Sequence, residues 1–457
     1  MYSPHDLIQS LSVPLPEDIQ KLKWAGAFEE AIAAIDRRVG TDIPELLRKR
    51  LLVERERLRR MPLQYPYTRQ EALAKARELL GDITEREFQE MELDGKLDYI
   101  FFHGQKRYFK RCPLSLTKRP EYLRRADPAA SPESPWLDPM IAVIRERGHL
   151  ARRIHLRFSI RPEEEAWREG VYRAWLPCPL ESDQQREVRI TEGQPLSLSG
   201  PDAQARTAYF EGPLKQGEAF SVGYSYVSEI RYADPLHYVP PASPLYPSAP
   251  PPTEADLTED GFVRFTPLMV SLAQQLTQGV STPLEMAKCI YDFITTRVRY
   301  SFMRNYFCVD NYAEFCALNM RGDCGLQALT FVTLCRIAGI PARWQSGMAV
   351  EPDYTGSHDW AQFYLEGWGW RFADPSYGGG AFRAGNLERQ AFYFGNLDPM
   401  RMAANRRYMA QLDPPMVGLR IDPFDNQSGE VERVGADAPF VGRDVDDTAR
   451  LVCAEAL

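Results

Sequence analysis

Residues 321–344 read RGDCGLQALTFVTLCRIAGIPARW, and Gly322 and Gly325 bracket Cys324. Glycines there permit a sharp turn and the close approach of another molecule to the thiol. Asp323 is suited to cap a helix whose interior carries apolar residues at 326, 329, 332, 335 and 338. Gly339 ends that helix, and Ile340-Pro341 begins an extended piece. Cys324 is therefore expected in the first turn of a buried helix, where unpaired N–H groups and the positive end of the dipole favour a thiolate. A structural cysteine is the usual alternative and suits Cys335. A cysteine between glycines at a helix start fills a core poorly.

A second segment, SHDWAQFYLEGWGWRFADPSYGGG, spans residues 357–380. His358 opens an alternating strand with Trp360, Gln362 and Tyr364. Trp370 to Ala373 forms another, and Gly367 and Gly369 mark the turn. Positions 358 and 374 are centred on 366, at that turn, so His358 and Asp374 should lie on neighbouring strands near the open end of the hairpin. A carboxylate beside an imidazole fixes its tautomer and stabilises the imidazolium. Taken singly, a surface histidine and an aspartate opening a turn remain open readings. Together with Cys324 they supply nucleophile, base and orienter. The glycine-rich stretch PSYGGGAFRAG, 375–385, is expected as a mobile loop bordering the cleft, with Tyr377 and Phe382 closing over a bound substrate. An ordinary surface turn is the alternative.

The run GDCG…RIAGIPAR, then HDW, then GWRFADPS resembles the core of the transglutaminase-like superfamily over roughly residues 265–400. The resemblance implies an α+β chain with a papain-like core and a cysteine-dependent acyl transfer. In that reading Cys324 attacks a carbonyl carbon, a thioester forms, and His358 protonates the leaving group before activating the acceptor. The Cys324 N–H is one oxyanion donor, and Tyr300, ending the VRY segment, is a candidate for a second, against a plain packed tyrosine. Trp360 matches the aromatic residue that follows the family's histidine by two, and with Tyr377 it is a candidate substrate contact. Water as acceptor makes a peptidase or amidase, and an amine makes a protein-glutamine transglutaminase. Hydrolysis is the favoured reading, and a non-catalytic binding scaffold is the competitor from a different class. Animal transglutaminases need calcium, but the acidic segment 421–432 has the wrong spacing for an EF-hand loop and reads as an edge hairpin. No metal or cofactor is expected.

Other parts of the chain must position these residues. Segments 22–39 and 43–61 have helical apolar spacing among Arg and Glu. Residues 68–111 read helix, helix, then two aromatic strands around His103-Gly104, an order resembling a winged helix. Residues 1–130 are thus a helical module, read as a partner-docking or capping element. Segment 150–233 alternates apolar and polar residues as an antiparallel sandwich does, and with its WLPCP run it is similar to the β domain preceding bacterial members of the family. Residues 234–253 are proline-rich and expected to be an extended connector. Residues 254–457 are then the catalytic segment with its C-terminal strands.

The 457 residues carry a net charge of −8, which argues against a nucleic-acid binder and for a soluble protein that handles small molecules, peptides or proteins; the resemblance implies a peptide or protein substrate. The opening MYSPHDLIQSLSVPLPEDIQ lacks a basic and an apolar leader region, and no apolar run is long enough to span a membrane. A cytoplasmic protein with free thiols is expected. No pair among the eight cysteines has disulfide-framework or zinc spacing.

Overall fold

The computed structural model describes residues 10–128, 133–418, 420, 426–435 and 445–457. Two compact units emerge. One comprises Met1–Ser131, Arg299–Asn311 and Arg321–Asp323; the other comprises Pro132–Val298, Tyr312–Met320 and Cys324–Leu457.

The first unit is mostly helical. Its expected opening helix is two, Glu17–Trp24 and Phe28–Val39. They part at Gly26, whose φ is +71°, and a side chain there would meet the Phe101 carbonyl oxygen at 2.4 Å. Arg69–Leu80 and Glu85–Leu93 each start from a Thr–Glu capping box, Thr68 with Glu71 and Thr84 with Glu87. The hairpin of Tyr99–Phe102 and Gln105–Tyr108 turns at His103-Gly104, both at positive φ. Several cations of this module are engaged by its own carboxylates: Arg69 by Glu85 and Glu92, Lys106 by Glu92, Arg125 by Glu87.

In the second unit, alternation builds two four-stranded antiparallel sheets. Ile154, Leu156, Phe158 and Ile160 are fully buried along the strand His149–Pro162, with Tyr172, Ala174, Leu176, Val222 and Tyr224 in the same core. One sheet runs Glu430–Arg433, Val171–Pro177, Thr207–Pro213, Ser197–Leu198. The other runs Val445–Ala456, His149–Pro162, Phe220–Arg231, Gln185–Glu192. Each thus gains an edge strand from the C-terminal part of the chain. Pairings such as Val431 with Ala174 and Thr448 with Ser159 place these two strands on the β sheets, where the sequence had grouped them with the catalytic segment. Strand pairing is long-range, so local alternation does not reveal it. Of the segment 421–432, residues 421–425 lie outside the described residues.

A separate five-stranded antiparallel sheet runs Phe394–Gly395, Gly369–Ala373, Thr355–Leu365, Ala342–Val350, Arg401–Asn405. Met348, Val350, Met400 and Met402 join it to the core of the two β sheets. The helix Cys324–Ile337 is buried along nearly its whole length, and Phe331 meets Phe363 of the strand Thr355–Leu365 edge-on. The proline-rich segment is irregular but lies against this sheet. Trp370 Nε1 donates to the Pro250 carbonyl at 2.7 Å, and the buried Tyr246 ring sits edge-on to Phe372. The connector is largely exposed and is anchored to the sheet at Tyr246 and Pro250.

Candidate active site

Cys324 opens its helix and is 8% exposed. Its thiol donates to Asp359 Oδ2 at 3.2 Å. Asp359 is buried on the strand Thr355–Leu365, and its Oδ1 accepts from Gln427 Nε2 at 2.7 Å. The same amide nitrogen donates to the His358 carbonyl at 2.8 Å, so Gln427 clamps the backbone between His358 and Asp359. Asp323, expected as a cap, takes the Tyr306 hydroxyl within the first unit.

His358 and Asp374 meet: Nε2 lies 2.7 Å from Oδ2. In the hairpin Ala361 pairs with Ala373, which puts Asp374 opposite Trp360 and diagonal to His358. Asp374 is fully buried, and its Oδ1 accepts the Tyr377 N–H at 2.9 Å, capping the helix Pro375–Ala384. Arg401 Nη2 lies 3.4 Å from Asp374 Oδ2 and 2.8 Å from Asp398 Oδ2. Asp398 Oδ2 also takes the Tyr393 hydroxyl at 2.9 Å. The Arg401 guanidinium lies 4.0 Å from the centre of the Tyr377 ring, a cation–π contact that shares its charge with the site.

These surroundings set the protonation states. Burial pushes the His358 imidazole below its ordinary pKa, and the attraction of Asp374 opposes this without reversing it. Burial alone would raise Asp374, but His358 and Arg401 outweigh it and hold the carboxyl below its usual range. An ionised Asp374 accepts from Nε2–H, which leaves Nδ1 as the basic nitrogen of a neutral ring. The surroundings therefore favour a neutral imidazole at His358, while the Cys324 thiol donates to the Asp359 side chain. The thiolate expected from the helix position is opposed by that hydrogen bond.

The remaining candidates fall in different places. Trp360 is fully buried; its Nε1 donates to Gln345 Oε1 at 2.6 Å and its ring centre lies 5.9 Å from that of His358. Tyr377 is half-buried, with its ring 4.6 Å from His358 and its hydroxyl donating to Glu351. Tyr300 belongs to the first unit, paired with Gly322 in a two-residue parallel bridge and edge-on to Phe302. The expected loop after Asp374 is instead a helix, Pro375–Ala384, and two of its glycines, Gly378 and Gly379, are contact points. A side chain at Gly378 would meet the Tyr291 hydroxyl oxygen at 1.9 Å, so close helix packing selects glycine there.

Asp359, Gln427, Arg401 and Asp398 were not singled out from sequence. Asp359 stands beside His358 in the HDW motif, a signal that was present. Gln427 and Arg401 reach the site from distant segments, and no local pattern announces them. Among the described residues, one group of potential metal ligands has its donor atoms within 4.8 Å of one another: His155, Cys453 and Glu455 on the paired strands His149–Pro162 and Val445–Ala456, with Cys453 and Glu455 exposed. No described helix is long and apolar enough to cross a membrane.

No curated protein sequence matches the chain. Among solved structures, a candidate cysteine protease from Cytophaga hutchinsonii is 15% identical, with 68% of this chain and 90% of that chain covered and a TM-score of 0.38. The periplasmic domain of TgpA from Pseudomonas aeruginosa is 16% identical, with 55% and 95% covered and a TM-score of 0.28. Residues 270–375 match the sequence model of the transglutaminase-like superfamily. That span contains Cys324, His358 and Asp374, and it forms a transglutaminase-like domain within this α+β chain.

Proposed function

We propose that the chain is a cysteine-dependent acyl-transfer enzyme that hydrolyses a peptide or amide bond through a thioester on Cys324. The observation that carries this reading is the buried His358–Asp374 pair at 2.7 Å, in the same domain as a cysteine at the head of a buried helix. Asp374 holds Nε2–H, so Nδ1 is the nitrogen that takes the Cys324 proton as sulfur attacks the carbonyl carbon. The carbonyl oxygen becomes an oxyanion, for which the Cys324 N–H at the helix start is a donor. Collapse breaks the C–N bond, and His358 returns the proton to the departing amine. Water then attacks the thioester, losing a proton to Nδ1; the C–S bond breaks, the carboxylic acid leaves, and His358 returns that proton to sulfur to restore the thiol. In this scheme Trp360 and Tyr377 position the imidazole through their rings.

The net charge of −8, with cations such as Arg69, Lys106 and Arg125 paired to carboxylates of the same unit, supports a docking or capping role for residues 1–130 over nucleic-acid binding. The test is turnover of a peptide–amide library by the parent, Cys324→Ala and His358→Ala, with folding checked by circular dichroism. Both variants should lose turnover. Parent-level turnover in Cys324→Ala refutes the assignment.

A further inference from the structure

The hydrogen bond from Cys324 to Asp359 is not used by the reaction scheme, and it acts against thiolate formation. We propose that Asp359 is a second carboxylate of the active site, in direct contact with the nucleophile, which holds Cys324 as a thiol at rest and sets the pH range of its reactivity. This rests on reading Cys324 as the nucleophile, but its test needs no substrate.

Three observations support the proposal. The Sγ–Oδ2 separation is 3.2 Å, within reach of a thiol donor. Gln427 fixes the other carboxylate oxygen at 2.7 Å, so Asp359 cannot swing away without breaking that bond. Cys324 and Asp359 are 8% and 3% exposed, which limits screening by water. A hydrogen bond donated by the neutral form stabilises the thiol, and a carboxylate at this distance repels the thiolate. Both effects oppose the helix N-terminus, which favours the anion. They also match a neutral His358 serving as general base, because the proton is still on sulfur when the reaction begins.

Other ionisable groups around the site are His358 on the same strand, Asp374 at the head of the helix Pro375–Ala384, Arg401 with Asp398, and Glu351 beneath Tyr377. Asp323 precedes Cys324 in the chain. All are unchanged when Asp359 alone is substituted, so a difference between pH profiles reports Asp359.

The experiment follows iodoacetamide labelling of Cys324 from pH 5 to 10 by peptide mass spectrometry, which separates it from the other cysteines. In the parent the midpoint should lie at or above the free-cysteine value of about 8.5. Asp359→Asn keeps the shape and an oxygen for Gln427 but offers an amide N–H to sulfur; Asp359→Ser removes the charge differently. Each neutral variant that retains the parental circular dichroism spectrum should lower the midpoint by at least about one unit, and label about tenfold faster at pH 7. A parental midpoint below 8.5 overturns the proposal, whatever the variants do. So does a folded neutral variant whose midpoint is unchanged or raised. Turnover lost in Cys324→Ala with either of these results would retain the enzyme assignment while rejecting the role of Asp359.

Discussion

Gly378 and Gly380 lie two positions apart on the helix Pro375–Ala384, and alanine should have opposite effects at the two. At Gly378 the added methyl would sit 1.9 Å from the Tyr291 hydroxyl oxygen, 2.8 Å from its ring and 3.1 Å from Thr295 Cγ2. Tyr291 cannot give way easily: its side chain is fully buried and its hydroxyl donates to the Gln390 carbonyl at 2.7 Å. Overpacking of this kind costs about 1–3 kcal/mol, and displacing the hydroxyl forfeits about 1 kcal/mol more. The better helix propensity of alanine returns about 1 kcal/mol, leaving Gly378→Ala destabilised by about 1–3 kcal/mol. At exposed Gly380 nothing lies within 4 Å of the added carbon, so only the propensity gain of up to about 1 kcal/mol remains. Urea unfolding of the two variants beside the parent measures both. A stabilised Gly378→Ala, or a Gly380→Ala destabilised by as much as 1 kcal/mol, would show that this segment is not the packed helix described.

Asp374→Asn keeps an oxygen for the Tyr377 N–H but loses the charge that orients His358, so turnover should fall on the order of 10²–10⁴-fold with folding little changed. Turnover within threefold of the parent, in a rough sense, would mean that the pair does not act in the reaction. The depressed pKa of His358 means that the unfolded chain binds the histidine proton first, below about pH 6.5. Stability from this group is therefore fully present above about pH 6.5 and is lost as pH falls towards the folded value. The urea midpoint of His358→Gln should then fall less than that of the parent between roughly pH 7 and 5, and parallel profiles would contradict the shift. Gln345→Leu strands the buried Trp360 N–H and should cost about 1–3 kcal/mol in the same assay, with no loss signalling that the 2.6 Å bond is unimportant.

The cysteine helix and the His–Asp hairpin were legible because each is written in a contiguous run of residues. Alternation predicted a strand from His358 and another at Trp370–Ala373, and strands occur at Thr355–Leu365 and Gly369–Ala373. The glycine run after Asp374 misled for a physical reason. Propensity opposes a glycine helix, yet tight packing against Tyr291 and Thr295 leaves no room for a larger residue at Gly378. What escaped the sequence was assembled from distance. Gln427 follows Asp359 by 68 positions and Arg401 follows Asp374 by 27, and periodicity carries no information about such meetings. C-terminal strands were expected, but the sequence did not reveal that Glu430–Arg433 and Val445–Ala456 pair with the β sheets, since their partners lie near the start of the second unit.

The central claim is a thioester on Cys324, and intact-protein and peptide mass spectrometry after acid quench during turnover of a peptide–amide library reads it directly. The account predicts an acyl adduct on the peptide containing Cys324, labile to hydroxylamine, absent from Cys324→Ala and accumulating in the parent before product release. Turnover with no adduct on Cys324, or with the acyl group on another residue, would contradict it.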